Sequence, residues 1–153
     1  MKNAPINKQV ILLRVNGIQG EMQELKKVRD LNFDEFSSGS GYKIAHYHLH
    51  RALEGVFNIG SHILARIPGV EITDYKGIAI SLGANGIVDK KFANTKLKDM
   101  AGYRNRLVHF YAEISSEEIY KIINEDLDDF DIFLESIKKF LQNPQKFNLT
   151  IDL

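Results

Sequence analysis

The chain has 153 residues, 44% of them apolar and 26% charged, with 20 Lys and Arg against 20 Asp and Glu and no Cys. This is the make-up of a folded chain of about one domain's length, and it excludes disorder as the main state. Zero net charge excludes an overall basic coat for gripping nucleic acid, and the lack of thiols excludes disulfides, thiolate catalysis and Cys-based metal centres.

The N-terminal stretch has too short an apolar run for a signal peptide, and no later window approaches a membrane span, so a soluble cytoplasmic protein is expected. Three prolines (Pro5, Pro68, Pro144) and few alternating apolar/polar runs predict helices. The first should run from Asn7 to about Leu31, with a bend expected in its middle because Gly17 and Gly20 weaken it by roughly 1 kcal/mol each. Residues 32–41 (NFDEFSSGSG) have the composition of a loop. A second long helix is predicted from about Tyr42 to Ile67, stopped by Pro68-Gly69. Its apolar stripe is Ala45, Leu49, Ala52, Val56, Ile59, Ile63 and Ile67, and Glu54, Asn58 and His62 form a polar row opposite. Thr73 can cap a short third helix, and Asp89 a fourth that runs through roughly His109. Ser115 and Glu118 form an S-x-x-E capping box for a last helix ending near Pro144. The tail from Gln145 is too short to place. The expectation is an all-α bundle of four or five helices in a single domain spanning 1–153.

Charge is unevenly spread. Residues 90–106 carry six bases against Asp99, whereas residues 113–135 carry nine acids against Lys121. Two packed helices that neutralise each other would explain this, and so would a basic strip for phosphates.

The stretch Gly102 to Tyr111 is the most informative. On a helix, Leu97, Ala101 and Val108 make an apolar stripe, and Arg104 falls within about 20° of Leu97. An arginine there needs a partner, because desolvating a charge costs several kcal/mol. Either an acid such as Glu54 pairs with it, or its face meets a cleft or a second subunit. His109 lies about 140° away from Arg104 on an ideal helix, so the two converge only if the helix ends or kinks there, or across a dimer axis. His46 and His50, at i and i+4, could chelate a metal, but Glu54 is the only third ligand in register; a solvated helix face is the plainer explanation.

Arg104, four residues, His109, one residue, then Tyr111 resembles the signature of the HepT-like toxins of the HEPN superfamily. Leu97 to Tyr111 (LKDMAGYRNRLVHFY) is similar to that family's motif helix, including Asn105 after the arginine. Leu53-Glu54 through Asn58-Ile59 to His62-Ile63, the Pro68 turn and Tyr75 resemble its second helix and following loop. Glu118 to Leu134 resembles its closing helix, and the likeness covers roughly residues 41–140. Asn58 stands where related sequences often carry Asp.

The resemblance implies a HEPN-type bundle that forms a two-fold homodimer, with the motifs gathered at the axis. It implies a metal-independent endoribonuclease toxin without cofactor. Arg104 and His109 would be catalytic, Asn105 and Glu54 supporting. The substrate would be RNA (tRNA or mRNA) rather than DNA, and no membrane would be involved. The implied partner is a minimal nucleotidyltransferase (MNT) antitoxin that uses ATP to attach AMP to the motif tyrosine, Tyr111. The chemistry suits these residues: a histidine moves protons near neutral pH, and an always-charged arginine holds the phosphate as charge develops. Two other readings remain: a non-catalytic HEPN-like module that dimerises and holds a nucleotidyltransferase, and a metal- or small-molecule-binding bundle built on His46 and His50.

Overall fold

The computed structural model describes residues 4–109 and 114–152. The chain folds as an all-α bundle. Helix α1 (Lys8–Arg29) starts where the Asn7 side chain accepts the Val10 N–H, and it runs unbroken through Gly17 and Gly20. The expected loop that follows contains a short helix, α2 (Phe33–Ser38), because Asn32 is a better cap than the composition suggested. Its Oδ1 accepts the Glu35 N–H at 2.9 Å and its amide donates to the Glu35 carboxylate at 2.8 Å, while Phe36 is fully buried.

Helix α3 (Gly41–Leu64) is the axis of the fold. The predicted stripe from Ala45 to Ile63 is buried throughout, as are Leu53, Phe57 and Leu64, so only one face stays polar. That face carries Glu54, Asn58 and His62, as the pattern predicts. α1 lies along α3 with no room to spare at the crossing, where a Cβ on Gly55 would come within 2.6 Å of the Ile18 side chain.

Helix α4 (Tyr75–Ala84) is capped by Asp74, not Thr73, with the Asp74 carboxylate accepting the Gly77 N–H at 2.6 Å. A carboxylate adds charge complementarity to the helix N-terminus that a hydroxyl lacks. Asp89 caps the next helical stretch, accepting the Phe92 N–H at 3.0 Å. That stretch comprises α5 (Lys90–Phe92), a π turn (Ala93–Leu97) and α6 (Lys98–Val108). Leu97, Met100, Ala101 and Leu107 face the core; Val108, expected there, is half-exposed.

The predicted closing helix is two. α7 (Ser116–Glu125) is capped by Ser115, and α8 (Asp128–Gln142) begins afresh after the non-helical Asp126. Asp128, Asp129 and Asp131 in its first turn favour a new N-terminus, where negative charge meets the positive end of the helix dipole. A 3₁₀ turn (Pro144–Phe147) then leads to β2 (Ile151–Asp152), which pairs in parallel with β1 (Ile6–Asn7). Among the described residues, no helix is long and apolar enough to cross a membrane.

Candidate active site

Arg104 lies on the buried side of α6, its side chain only 18% exposed. The unfavourable position is answered by Glu54 of α3, whose carboxylate accepts the Arg104 Nε–H. This is the internal pairing that the apolar stripe demanded. The guanidinium carbon also lies 3.8 Å from the centroid of the Tyr75 ring, at the start of α4. Three helices therefore meet at one cation, held along an edge by Glu54 and across a face by Tyr75. Asn105 makes a marginal contact, its Oδ1 3.5 Å from the Arg104 NH1 group.

The NH2 group of Arg104 has no hydrogen-bond partner among the described residues, so it can donate to an anion. On the other side of Glu54, His50 Nε2 approaches the same carboxylate oxygen at 3.6 Å, and it makes no hydrogen bond there. A cleft of about 390 Å³ opens between α1 and α3 beside Glu54, lined by Arg14, Tyr47, His50, Arg51 and Asn58 among others.

α6 ends at Val108, and His109 adopts extended geometry at its C-cap (φ −102°, ψ 111°). The helix thus stops just where a straight continuation would have carried His109 away from Arg104. The His109 side chain is exposed. Tyr111 lies in residues 110–113, outside the described residues. Beyond that segment, the Tyr42 hydroxyl donates to the Ile114 carbonyl at 3.0 Å, tying the chain back to α3.

The basic and acidic stretches do neutralise each other in part. Arg106 grips Glu118 with two bonds of 2.6 and 3.0 Å, which hold the Glu118 carboxyl below its usual range. Lys96 Nζ stands 3.8 Å from Asp126. The cleft of about 360 Å³ beside α6, α7 and α8 is lined by five acids, Asp99, Glu118, Glu125, Asp126 and Asp129, against two bases, Lys96 and Lys121. Burial, together with the neighbouring carboxylates, pushes Asp129 upward despite Lys96. The excess of acids over bases in its lining makes this cleft a poor place for phosphate.

The three histidines of HYHLH separate. His48 Nδ1 bonds Glu21, while burial and then the nearby His50 lower the His46 pKa. Burial pushes Glu21 upward, but bonds from Arg51 and His48 outweigh it and hold the carboxyl low. Among the described residues no group of three His, Asp or Glu side chains stands close enough to hold a metal ion. Tyr75 is the site residue to which the residue pattern gives no role. Its contact spans 29 positions, and an aromatic after a helix cap carries no local sign of a distant cation.

Residues 18–137 match the family model described as Ribonuclease HepT-like. Over 134 residues the chain is 26% identical to a tRNA nuclease HepT from Aphanizomenon flos-aquae (strain 2012/KM1/D3), covering 86% of this chain and 90% of that protein. The fold is similar to that of a toxin–antitoxin structure with AMP-PNP, at a TM-score of 0.76 and 22% identity over 86% of this chain and 99% of that one. It is similar also to a tri-AMPylated Shewanella oneidensis HEPN toxin in complex with an MNT antitoxin, at a TM-score of 0.74 and 23% identity over 85% and 97%.

Proposed function

Because this chain belongs to the HepT-like ribonuclease family, we propose that it is the ribonuclease toxin of a toxin–antitoxin pair, cutting RNA without a metal and held inactive by an MNT partner. One observation carries the chemistry: a mostly buried arginine held by Glu54 at Nε and by Tyr75 across its face, with an NH2 group that has no hydrogen-bond partner among the described residues. The substrate is RNA, with tRNA favoured by the name of the Aphanizomenon flos-aquae relative.

In the proposed reaction His109 takes the proton from the ribose 2′-hydroxyl, and the oxygen attacks the adjacent phosphorus. Arg104 binds the non-bridging oxygens, whose negative charge grows in the phosphorane. The P–O5′ bond breaks, and the 5′-oxygen leaves with a proton supplied by the second His109 of a homodimer or by water. The products are a 2′,3′-cyclic phosphate and a 5′-hydroxyl. Glu54 orients Arg104, and Asn105 supports it. The reaction needs the 2′-hydroxyl, so DNA is spared.

For regulation, the partner transfers AMP from ATP to the Tyr111 hydroxyl, releasing pyrophosphate. The new phosphate sits where the RNA phosphate would bind and repels it. The Shewanella relative, with AMP groups attached and its MNT antitoxin bound, supports this reading. The site of action is the cytoplasm.

The test is incubation of the purified protein with a tRNA pool in excess EDTA. Cleavage should persist, leave 2′,3′-cyclic ends, and vanish in Arg104→Ala and His109→Ala. Dependence on added Mg²⁺ or Mn²⁺, or products with 3′-hydroxyl ends, would overturn the mechanism. Treatment with a cognate nucleotidyltransferase and ATP should add units of ~329 Da to the wild type and none to Tyr111→Phe, which stays active.

A further inference from the structure

We propose that Tyr75 is a positioning residue of this nuclease: its ring is the platform that fixes the plane of the Arg104 guanidinium and aims its NH2 group at the phosphate. The proposal rests on the reading of Arg104 as the phosphate clamp. A planar guanidinium held only by Glu54 through Nε could still turn about that bond. A ring 3.8 Å from its central carbon removes the turning, since tilting the plane would drive it into the ring or forfeit the attraction to the π face. Edge and face together hold the guanidinium plane, and the NH2 group, without a hydrogen-bond partner among the described residues, is left to donate to a phosphate oxygen.

The platform is itself braced. Tyr75 is the first residue of α4, locked by the Asp74 cap. Its ring meets that of Phe57 at 5.5 Å and 88°, and Phe57 is fully buried on α3, the same helix that presents Glu54. The two jaws on Arg104 are thus referenced to one rigid helix. The Tyr75 hydroxyl makes no hydrogen bond among the described residues, so the ring is the working part and the hydroxyl is dispensable.

The experiment compares steady-state cleavage of a tRNA pool in EDTA by wild type, Tyr75→Phe, Tyr75→Leu and Tyr75→Met, with urea unfolding of each. Two aliphatic variants are included because the flexible Met can fill the site if Leu destabilises the fold. The Phe variant should stay within about threefold of wild-type kcat, and Leu or Met should lose about ten- to a hundredfold, the usual effect of a misplaced catalytic group. KM should move less than kcat, because what is lost is the orientation of the guanidinium toward charge that develops in the transition state. Aliphatic variants as fast as wild type would overturn the role of Tyr75. So would a loss of kcat that merely tracks the folded fraction, or a Phe variant as slow as Leu. An inert wild type instead overturns the ribonuclease reading itself.

Discussion

Replacing Arg104 by Ala would leave Glu54, a carboxylate 27% exposed, without its guanidinium partner and with His50 Nε2 3.6 Å away. A charge stranded on an apolar stripe could be removed at little cost to stability, but a paired one cannot. Arg104→Ala is therefore expected to lower unfolding stability by about 1 kcal/mol, kept modest because water still reaches both groups. Glu54→Gln should cost less than that, since the amide oxygen can still accept from Nε. In a double-mutant cycle the pair should couple by about 1 kcal/mol, and additive losses in urea titrations would show that Glu54 does not hold the arginine. The pairing is legible in the sequence, because a cation inside an apolar stripe requires an anion and Glu54 heads the polar row of the neighbouring long helix. Tyr75 is not legible that way: no charge balance demands an aromatic ring, and the stack exists only once α4 has folded back across α6.

Among the elements, the α1–α3 crossing decides how closely the bundle closes. Ala at Gly55 would push into Ile18, and either α1 shifts or the Ile18 side chain leaves its rotamer; the expected loss is about 1–3 kcal/mol. Ala at Gly17, where nothing lies within 4 Å of a Cβ, should instead add about 0.5–1 kcal/mol through helix propensity. Thermal denaturation of the two variants should move in opposite directions, and a shared direction would refute this account of the interface. The sequence shows helix starts well where one side chain does the work, as at Asn7, Asp89 and Ser115. It fails where neighbours compete. Thr73 and Asp74 both suit a cap, and the folded chain uses Asp74. The break between α7 and α8 is hidden because the apolar spacing of both halves suggests one helix.

At the scale of the whole chain, stability should fall as the solution is acidified below neutrality. His62 on α3 accepts the Asn7 backbone N–H at Nε2 (3.1 Å), which requires the neutral ring. Burial and then the Arg66 charge keep its pKa below the ordinary value. The unfolded chain therefore takes up protons first as pH drops through about 6.5, and stability is lost from there down to the lowered folded-state pKa. His46, lowered by burial and His50, acts in the same direction. Urea midpoints measured between about pH 7.5 and 5 should decline, and His62→Ala should flatten the decline while being less stable at neutral pH. A midpoint that rises on acidification would exclude this assignment. None of this is visible in the sequence, where His62 reads only as part of a polar helix face.

The two-residue parallel pairing of Ile6–Asn7 with Ile151–Asp152 makes the chain a closed loop in space. Such a topology need not begin where it does. A circular permutant that joins the two strands by a short flexible linker and opens the exposed Pro68-Gly69 turn would keep every contact at Arg104. Glu54 and Tyr75 would then lie near opposite ends of the new chain, one contributed by its last helix and the other by its first.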